Sequence, residues 1–480
     1  MQWCLDQVGV VYRLDDGSRI AALSGVSCSI RQGERVAVIG NNGSGKSTLA
    51  RLLAGIIQPT TGRITHEGED NHDLGTAALV LQNPGDNIIG ETVREEIELT
   101  VGGVDDAVTS PRRDALLSQY GLVELLDRPL AELSGGETQL VALVCGLLSG
   151  RRMVVLDEPT SHLDPPARRL LIDHLMTQSS DTHDQFESTP AVLFITQYRD
   201  EAQYFPRVIE LDRGRLSFDG APEELPVRDR DESPDDNPLP VDSESRPIVV
   251  VQGLNQSRSA NGESAAVLKE ITLTVQAGDA IGIVGPIGSG KTTLGYHLAG
   301  LMEPSAGTVE YRQGVSTADP PVVLIQFPER QLFAETVLDD VAFGARNRGL
   351  DRSAAAAQTR QVLDAVGLPA AEFEQRSPFS LSGGQKRRVA LASVAVCGAT
   401  LYILDEPTSA LDADGHAALE EQLRRWRTEG VAYIVISHDV DWLRRVTERV
   451  WIIDKGRLLL DAHWPDDATG AALEQIGFVV

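Results

Sequence analysis

Two lysines, Lys46 and Lys291, stand in settings that suit phosphate. The first lies in Gly40-Asn41-Asn42-Gly43-Ser44-Gly45-Lys46-Ser47-Thr48, the second in Gly285-Pro286-Ile287-Gly288-Ser289-Gly290-Lys291-Thr292-Thr293. Both follow G-x-x-x-x-G-K-[ST], the spacing of a P-loop. The glycines let the backbone curl into a nest whose N–H groups point at phosphate oxygens. The helix start adds partial positive charge. The lysine reaches the β- and γ-phosphates of a nucleotide, and the hydroxyl of Ser47 or Thr292 can hold Mg²⁺. From average composition such a match has a probability of about 10⁻⁵ to 10⁻⁴ per position, so two in one chain are not chance. Carboxylates form the next group. Asp157-Glu158-Pro159-Thr160 and Asp405-Glu406-Pro407-Thr408 each follow an apolar run. The first carboxylate of each pair suits Mg²⁺, directly or through water. The second can accept a proton from an attacking water, or orient it.

These groups need elements to hold them. Val36–Ile39 precedes the first P-loop and Leu49-Ala50-Arg51-Leu52-Leu53 follows it, which reads as strand, turn and helix. Buried strands are expected at Val36–Ile39, Ala78–Leu81, Met153–Leu156 and Val192–Thr196, and again at Ala280–Val284, Val322–Ile325, Thr400–Leu404 and Ala432–Ser437. Apolar strands separated by helical stretches predict an α/β fold, a mostly parallel sheet with helices on both faces. Ligand then sits at the carboxyl ends of the strands, where both P-loops fall.

The whole pattern occurs twice. Lys291 follows Lys46 by 245 positions, and Gln326 in Val323-Leu324-Ile325-Gln326 follows Gln82 in Leu79-Val80-Leu81-Gln82 by 244. Leu381-Ser382-Gly383-Gly384-Gln385 repeats Leu133-Ser134-Gly135-Gly136-Glu137 at 248, and the Asp-Glu-Pro-Thr segments repeat at 248 as well. A near-constant offset means tandem duplication. The junction shows as a charged, proline-punctuated stretch that stays extended and solvated. The expected division is a first domain over 1–226, a linker over 227–246 and a second domain over 247–480. The polar stretch Gln178–Pro190 reads as a surface insertion in the first half.

Net charge is −27 over 480 residues. That argues against a nucleic-acid partner, which would need a basic face to offset phosphate charge. Lysine occurs only at positions 46, 269, 291, 386 and 455. This acidity is expected of a salt-adapted protein, and stability rising from low to molar KCl would bear it out. Cys4, Cys28, Cys145 and Cys397 lie far apart, as in a reducing compartment, with no metal-binding spacing. No apolar run is long enough to span a membrane. No basic segment leads into an apolar stretch at the start, so no signal peptide is expected.

P-loop, Leu-Ser-Gly-Gly signature, Asp-Glu-Pro-Thr-Ser and a following Ser-x-Leu-Asp together resemble the ATP-binding cassette ATPases, over nearly all of both halves. The resemblance implies tandem P-loop ATPase domains. Each would add an antiparallel subdomain and a helical subdomain carrying the signature. It implies ATP and Mg²⁺, with two cassettes pairing head to tail. One site would use Gly40, Asn41, Asn42, Gly43, Ser44, Gly45, Lys46, Ser47, Thr48, Gln82, Asp157, Glu158 and Gln197, with Ser382, Gly383 and Gly384 opposite. The other would use Gly285 to Thr293, Gln326, Asp405, Glu406 and His438, with Ser134, Gly135 and Gly136 opposite. Gln82 and Gln326 would also reach the metal. Asp164 and Asp412 match the family's dimer-crossing aspartates, and Tyr12 fits its adenine-stacking ring. The halves depart from each other in two ways. Gln197 stands where the family and the second half carry a γ-phosphate histidine, so hydrolysis is expected to be slower at the first site. Between Pro247 and Gly295 there is no aromatic residue, so the second site would hold the base more loosely or borrow a ring.

The segments Gln82-Asn83-Pro84-Gly85-Asp86-Asn87-Ile88-Ile89 and Gln326-Phe327-Pro328-Glu329-Arg330-Gln331-Leu332-Phe333 look like those of energy-coupling factor importers of vitamins and transition-metal ions. That resemblance implies two membrane partners, a shared transmembrane coupling subunit and a substrate-binding subunit. It places the chain at the cytoplasmic face of the membrane. Residues 82–93 and 326–337 would receive helices of the coupling subunit, although Phe327, Leu332 and Phe333 also fit local core. The alternative is a soluble twin-cassette ATPase acting on ribosomes. Such a protein calls for a basic linker and an RNA-facing basic surface, and this linker is acidic.

Overall fold

Three strands of the first half, Arg35–Ile39, Met153–Asp157 and Ala191–Ile195, are buried at every position. So are their counterparts Ala280–Val284, Leu401–Asp405 and Ala432–Ile436. Apolar runs of four or five residues, with a charge only at a strand end (Arg35, Asp157, Asp405), have no polar face to give to water, so they lie in the middle of a covered parallel sheet. The computed structural model describes all residues except 1, 14–18, 42, 67–68, 71–76, 83–84, 86–87, 103–105, 162, 178–189, 227–245, 261–262, 313–314, 316–319, 327, 410, 412, 465 and 479–480. Asn42, Phe327, Asp412, nearly all of the expected linker and nearly all of the polar insertion therefore lie outside the described residues. The chain divides into two compact units, Met1–Asp231 and Glu232–Val480.

In the first unit the six-stranded sheet runs Arg215–Gly220, Arg207–Asp212, Arg35–Ile39, Ala191–Ile195, Met153–Asp157, Ala77–Val80. All neighbours are parallel except the first pair. In the second unit the order is Val322–Leu324, Leu401–Asp405, Ala432–Ile436, Ala280–Val284, Arg449–Asp454, Arg457–His463, again with one antiparallel edge. The P-loop strand and the carboxylate strand are thus two positions apart, with Ala191–Ile195 or Ala432–Ile436 between them. An antiparallel sheet flanks each unit. It is built on Gln2–Arg13 and Arg19–Arg31 in the first and on Pro247–Ala260 and Glu263–Gln276 in the second.

One arginine in each unit fastens the two sheets together. Arg207 donates to Glu34 at 2.8 Å, to Asp219 at 2.6 Å and to the Ser29 carbonyl at 2.8 Å. Arg449 repeats this with Asp279, Asp461 and the Thr274 carbonyl at 3.1, 2.6 and 3.1 Å. A hydrogen bond to a charged partner contributes about 1.5–3 kcal/mol, so each clamp fixes how the antiparallel sheet meets the parallel one. The helical parts are Val93–Val101, Asp106–Gln119 and Gly135–Leu148 in the first unit, and Val337–Asn347, Arg352–Ala365, Ala370–Phe373 and Gly383–Ala395 in the second. Among the described residues no helix is long and apolar enough to cross a membrane.

Candidate functional site

Each P-loop turns from the end of its strand into a short helix, Lys46–Leu53 or Lys291–Leu298. The helix is preceded by Gly45 or Gly290, both at φ +100°. A Cβ at Gly45 would stand 2.5 Å from the Ala22 carbonyl, and one at Gly290 would stand 2.7 Å from Leu268 Cδ2. Only glycine fits both the left-handed backbone and the close approach. Lys46 Nζ donates to the Gly40 and Asn41 carbonyls at 2.6 and 3.2 Å; Lys291 Nζ donates to Gly285 and Pro286 at 2.6 and 3.0 Å. Burial lowers the pKa of Lys46, while Glu158 and Asp157 pull it back up. Among the described residues, the buried hydroxyls of Ser44 and Ser289 have no hydrogen-bond partner in either cradle. A buried hydroxyl left so is costly, and a phosphate oxygen in the nest would relieve it.

The carboxylates close each cradle. Thr292 Oγ1 donates to Asp405 at 2.7 Å, and Ser47 makes the matching bond to Asp157. Burial pushes Asp405 up to about 6, against the Thr292 hydrogen bond and the Lys291 charge. Asp157 is raised for the same reason, opposed by Ser47, Lys46 and Arg51. A hydroxyl beside one carboxylate is a hard-oxygen pair of the kind that holds Mg²⁺ together with phosphate and water. Among the described residues no cluster of three His, Cys, Asp or Glu could hold a metal without such help.

Glu158 and Glu406 both sit at positive φ, +49° and +48°. Each N–H donates across to the neighbouring strand end, to the Ile195 and Ile436 carbonyls, at 2.9 Å. Non-glycine residues held this way cost about 1–3 kcal/mol and gather at functional sites. The side chains then diverge. Gln82 Nε2 donates to Glu158 Oε2 at 2.7 Å. In the second unit His438 Nε2 lies 3.1 Å from Glu406 Oε1, while Gln326 stands half-buried past the strand Val322–Leu324. Burial raises Glu406, and the Asp405 carboxylate raises it further. Gln197 follows the strand Ala191–Ile195 as His438 follows Ala432–Ile436, and its side chain bonds the Tyr198 hydroxyl.

Both signatures start helices through a capping box. Ser134 pairs with Glu137 and Ser382 with Gln385. Glu137 accepts from the Ser134 N–H and hydroxyl at 2.7 and 2.8 Å and meets Arg128 at 3.1 Å. The first signature therefore carries a carboxylate where the second has an amide. Gly135 and Gly136 are buried, whereas Ser382 and Gly383 are exposed and Gly384 is half-buried. Asp164 is buried and caps the helix Pro165–Thr177 by accepting from Ala167 N at 2.8 Å.

Tyr12 lies opposite Ile20, two positions along from Ala22, the residue against which Gly45 is packed. In the second unit the same register puts Arg258 opposite Ala265, beside the Leu268 contact of Gly290. The aromatic position is thus an arginine position there. Of the residues after Gln326, Leu332 is core and Phe333 is 59% exposed. Phe333 N and Ala334 N both donate to the buried Asp340 carboxylate at 2.8 Å. Ile89 N and Gly90 N do the same to buried Glu96 at 2.8 and 2.7 Å, and Ile89 is 87% exposed. Each unit thus fixes a loop that presents an apolar side chain to solvent. Sequence reasoning passed over Glu96, Asp340 and Glu137. The repeat carried a signal for the first two, since a carboxylate stands at that position in both halves.

The profile of the ABC transporter family matches residues 23–161 and 268–409. A protein of Bifidobacterium longum named as an ABC transporter ATP-binding protein is 30% identical over 89% of this chain, which spans 62% of that relative's length. A Bacillus subtilis protein named as an HMP/thiamine import ATP-binding protein is 27% identical over 91% of the chain and 87% of its own length. In fold, the chain is similar to a solved structure of ribosome-bound archaeal Pelota and ABCE1, at 22% identity and TM-score 0.70 over 99% of this chain and 80% of that one. The structure titled RNase-L Inhibitor gives TM-score 0.62 at 21% identity over 99% and 93%. At these identities the likeness is one of fold alone.

Proposed function

The chain belongs to the ATP-binding cassette transporter family and carries two of its ATPase domains, and from that premise we propose that it powers an importer of the energy-coupling factor type. The reading rests above all on the two apolar residues, Ile89 and Phe333, that buried Glu96 and Asp340 hold out to solvent just past Gln82 and Gln326. Exposed apolar side chains on a braced loop suit burial by a partner. Helices of a membrane coupling subunit are the proposed occupants. The Bacillus relative supports vitamin precursors as a cargo class.

In this reading Lys46 and Lys291 leave their own loop carbonyls for phosphate oxygens. Ser47 with Asp157, and Thr292 with Asp405, hold Mg²⁺, which offsets charge on the transferred phosphoryl group. Glu158 and Glu406 orient the attacking water and take up its proton. Gln82 and Gln326 link the site to the docking loop. Gln197 and His438 face the γ-phosphate, and the signature turns supply further phosphate-binding N–H groups. Tyr12 stacks on the base.

The test is to purify the tagged chain from membranes in mild detergent and identify what accompanies it. Two integral membrane proteins are expected, and Ile89→Asp with Phe333→Asp should release them while ATP turnover persists. Recovery of ribosomal proteins in their place would overturn the proposal in favour of a role in translation.

A further inference from the structure

Glu201 is buried beneath the first unit's site, four residues after Gln197, with its side chain only 2% exposed. Its Oε2 accepts from Thr196 Oγ1 at 2.5 Å and from Thr160 Oγ1 at 3.1 Å. Thr160 is two residues past Glu158, and Thr196 immediately precedes Gln197. One carboxylate oxygen therefore ties the loop that carries Glu158 to the strand end that carries Gln197. Its Oε1 faces Arg168 Nε at 3.3 Å, in an ion pair whose N–H is not aimed well enough to count as a hydrogen bond. Arg168 in turn stands 5.5 Å from the ring of Tyr198, whose hydroxyl bonds the Gln197 side chain. The Arg168 backbone N–H donates to the Asp164 carbonyl at 2.8 Å, as the helix Pro165–Thr177 begins. A carboxylate so deeply buried persists only when its partners replace water, and here those partners are the segments flanking the reactive groups.

In the second unit the carboxylate at this position is replaced. Trp442 stands in place of Glu201, and its indole N–H donates to Glu420 at 3.0 Å, away from the carboxylate loop. His416 stands in place of Arg168. There His438 meets Glu406 directly. We propose that Glu201 is a positioning residue of the first site: through Thr160 and Thr196 it holds Glu158 and Gln197 in register, a task that the His438–Glu406 contact performs in the second. The inference rests on Glu158 and Glu406 being the hydrolytic carboxylates of the two units.

Single-turnover hydrolysis of radiolabelled ATP tests it in two backgrounds. With Glu406→Gln, turnover comes from the first unit, and Glu201→Gln should lower the rate about tenfold, the scale of a sub-ångström misplacement, with ATP affinity kept within about twofold. With Glu158→Gln, where turnover comes from the second unit, Glu201→Gln should leave the rate unchanged. Thr196→Val, which strands no charge, should give a smaller loss in the first background only, and Thr196→Ser should restore it. Equal losses in both backgrounds, a loss of ATP affinity in place of rate, or no first-unit hydrolysis for Glu201 to position would each overturn the inference. The site assignment fails separately, if neither Glu158→Gln nor Glu406→Gln lowers turnover.

Discussion

Glu158 is held by the amide of Gln82 at 2.7 Å, whereas Glu406 lies 3.1 Å from the imidazole of His438. The cradles beneath them are nearly superimposable in kind. Both lysines fold onto their own loop carbonyls, both serine hydroxyls are unpartnered, and both glutamates share the same strained backbone. The difference teaches that duplication kept the geometry of the P-loop and its carboxylate turn and let the partner of the glutamate differ. Glutamine satisfies a carboxylate but cannot become a cation, while histidine can exchange a proton with it.

The largest test of that contrast removes the glutamates one at a time. Loss of a general base costs about 10²–10⁴ in rate. Glu406→Gln should take away nearly all steady-state phosphate release, and Glu158→Gln should remove only the small share that a slow first site supplies. Equal losses from the two variants would erase the asymmetry.

Asp405 offers the next largest effect, on stability. Its carboxyl is raised from 3.8 to about 6 by burial. A carboxyl raised on folding favours the folded state while protonated. Its contribution is complete below about pH 4 and is lost as the pH rises through about 6. In nucleotide-free, metal-free protein, Asp405→Asn should therefore raise stability at pH 7 by about 1–3 kcal/mol and leave it unchanged at pH 4. Calorimetry of variant against parent reads this group together with Glu406, whose carboxyl Asp405 raises. The same variant should gain no stability from Mg-ATP at the second unit. A variant less stable at pH 7 would show that the carboxylate is supported by more than Thr292 and Lys291.

Exchanging Gln197 and His438, the residues proposed to face the γ-phosphate, comes third. His438→Gln should lower turnover about tenfold, since a charge-assisted hydrogen bond is roughly twice as strong as a neutral one. Gln197→His should speed the first site, measured with Glu406→Gln in place. If it does not, the limit lies elsewhere in that unit, and the Thr160–Glu201–Thr196 tie is the first place to look.

How much of this could be read in the sequence follows from how local each feature is. The P-loops, the carboxylate pairs and the buried strands are contiguous motifs with one-residue precision. The strand expected at Ala78–Leu81 was found at Ala77–Val80, and that expected at Val192–Thr196 at Ala191–Ile195. What escaped were contacts that only the tertiary fold makes. Glu201 is an ordinary acid in the sequence, and nothing there says that it will face two threonines 41 and 5 positions away. The positive φ of Glu158 runs against the preference of a residue before proline, so local rules predict the opposite. Arg258 became visible as the counterpart of Tyr12 only through sheet register, because the loops between the strands differ in length.

The smallest expected effect concerns the signatures. Glu137 occupies the Ser134 hydroxyl and places a carboxylate in the first turn of the helix Gly135–Leu148, partly offset by Arg128. Gln385 caps the other signature without charge. An anion at a helix start is favourable to the helix alone, by about 0.3–1 kcal/mol, but in the proposed reading it would compete there with phosphate. Glu137→Gln should keep the capping box, since glutamine serves in the second unit, and lower the KM for ATP about twofold to fivefold with kcat little changed. Its effect should shrink with added salt, as expected of a partly exposed charge. A rise in KM would mean that the Arg128–Glu137 pair orders the signature turn more than its charge hinders phosphate. In that case the second unit's Gln385 would mark the weaker signature, reversing that part of the comparison.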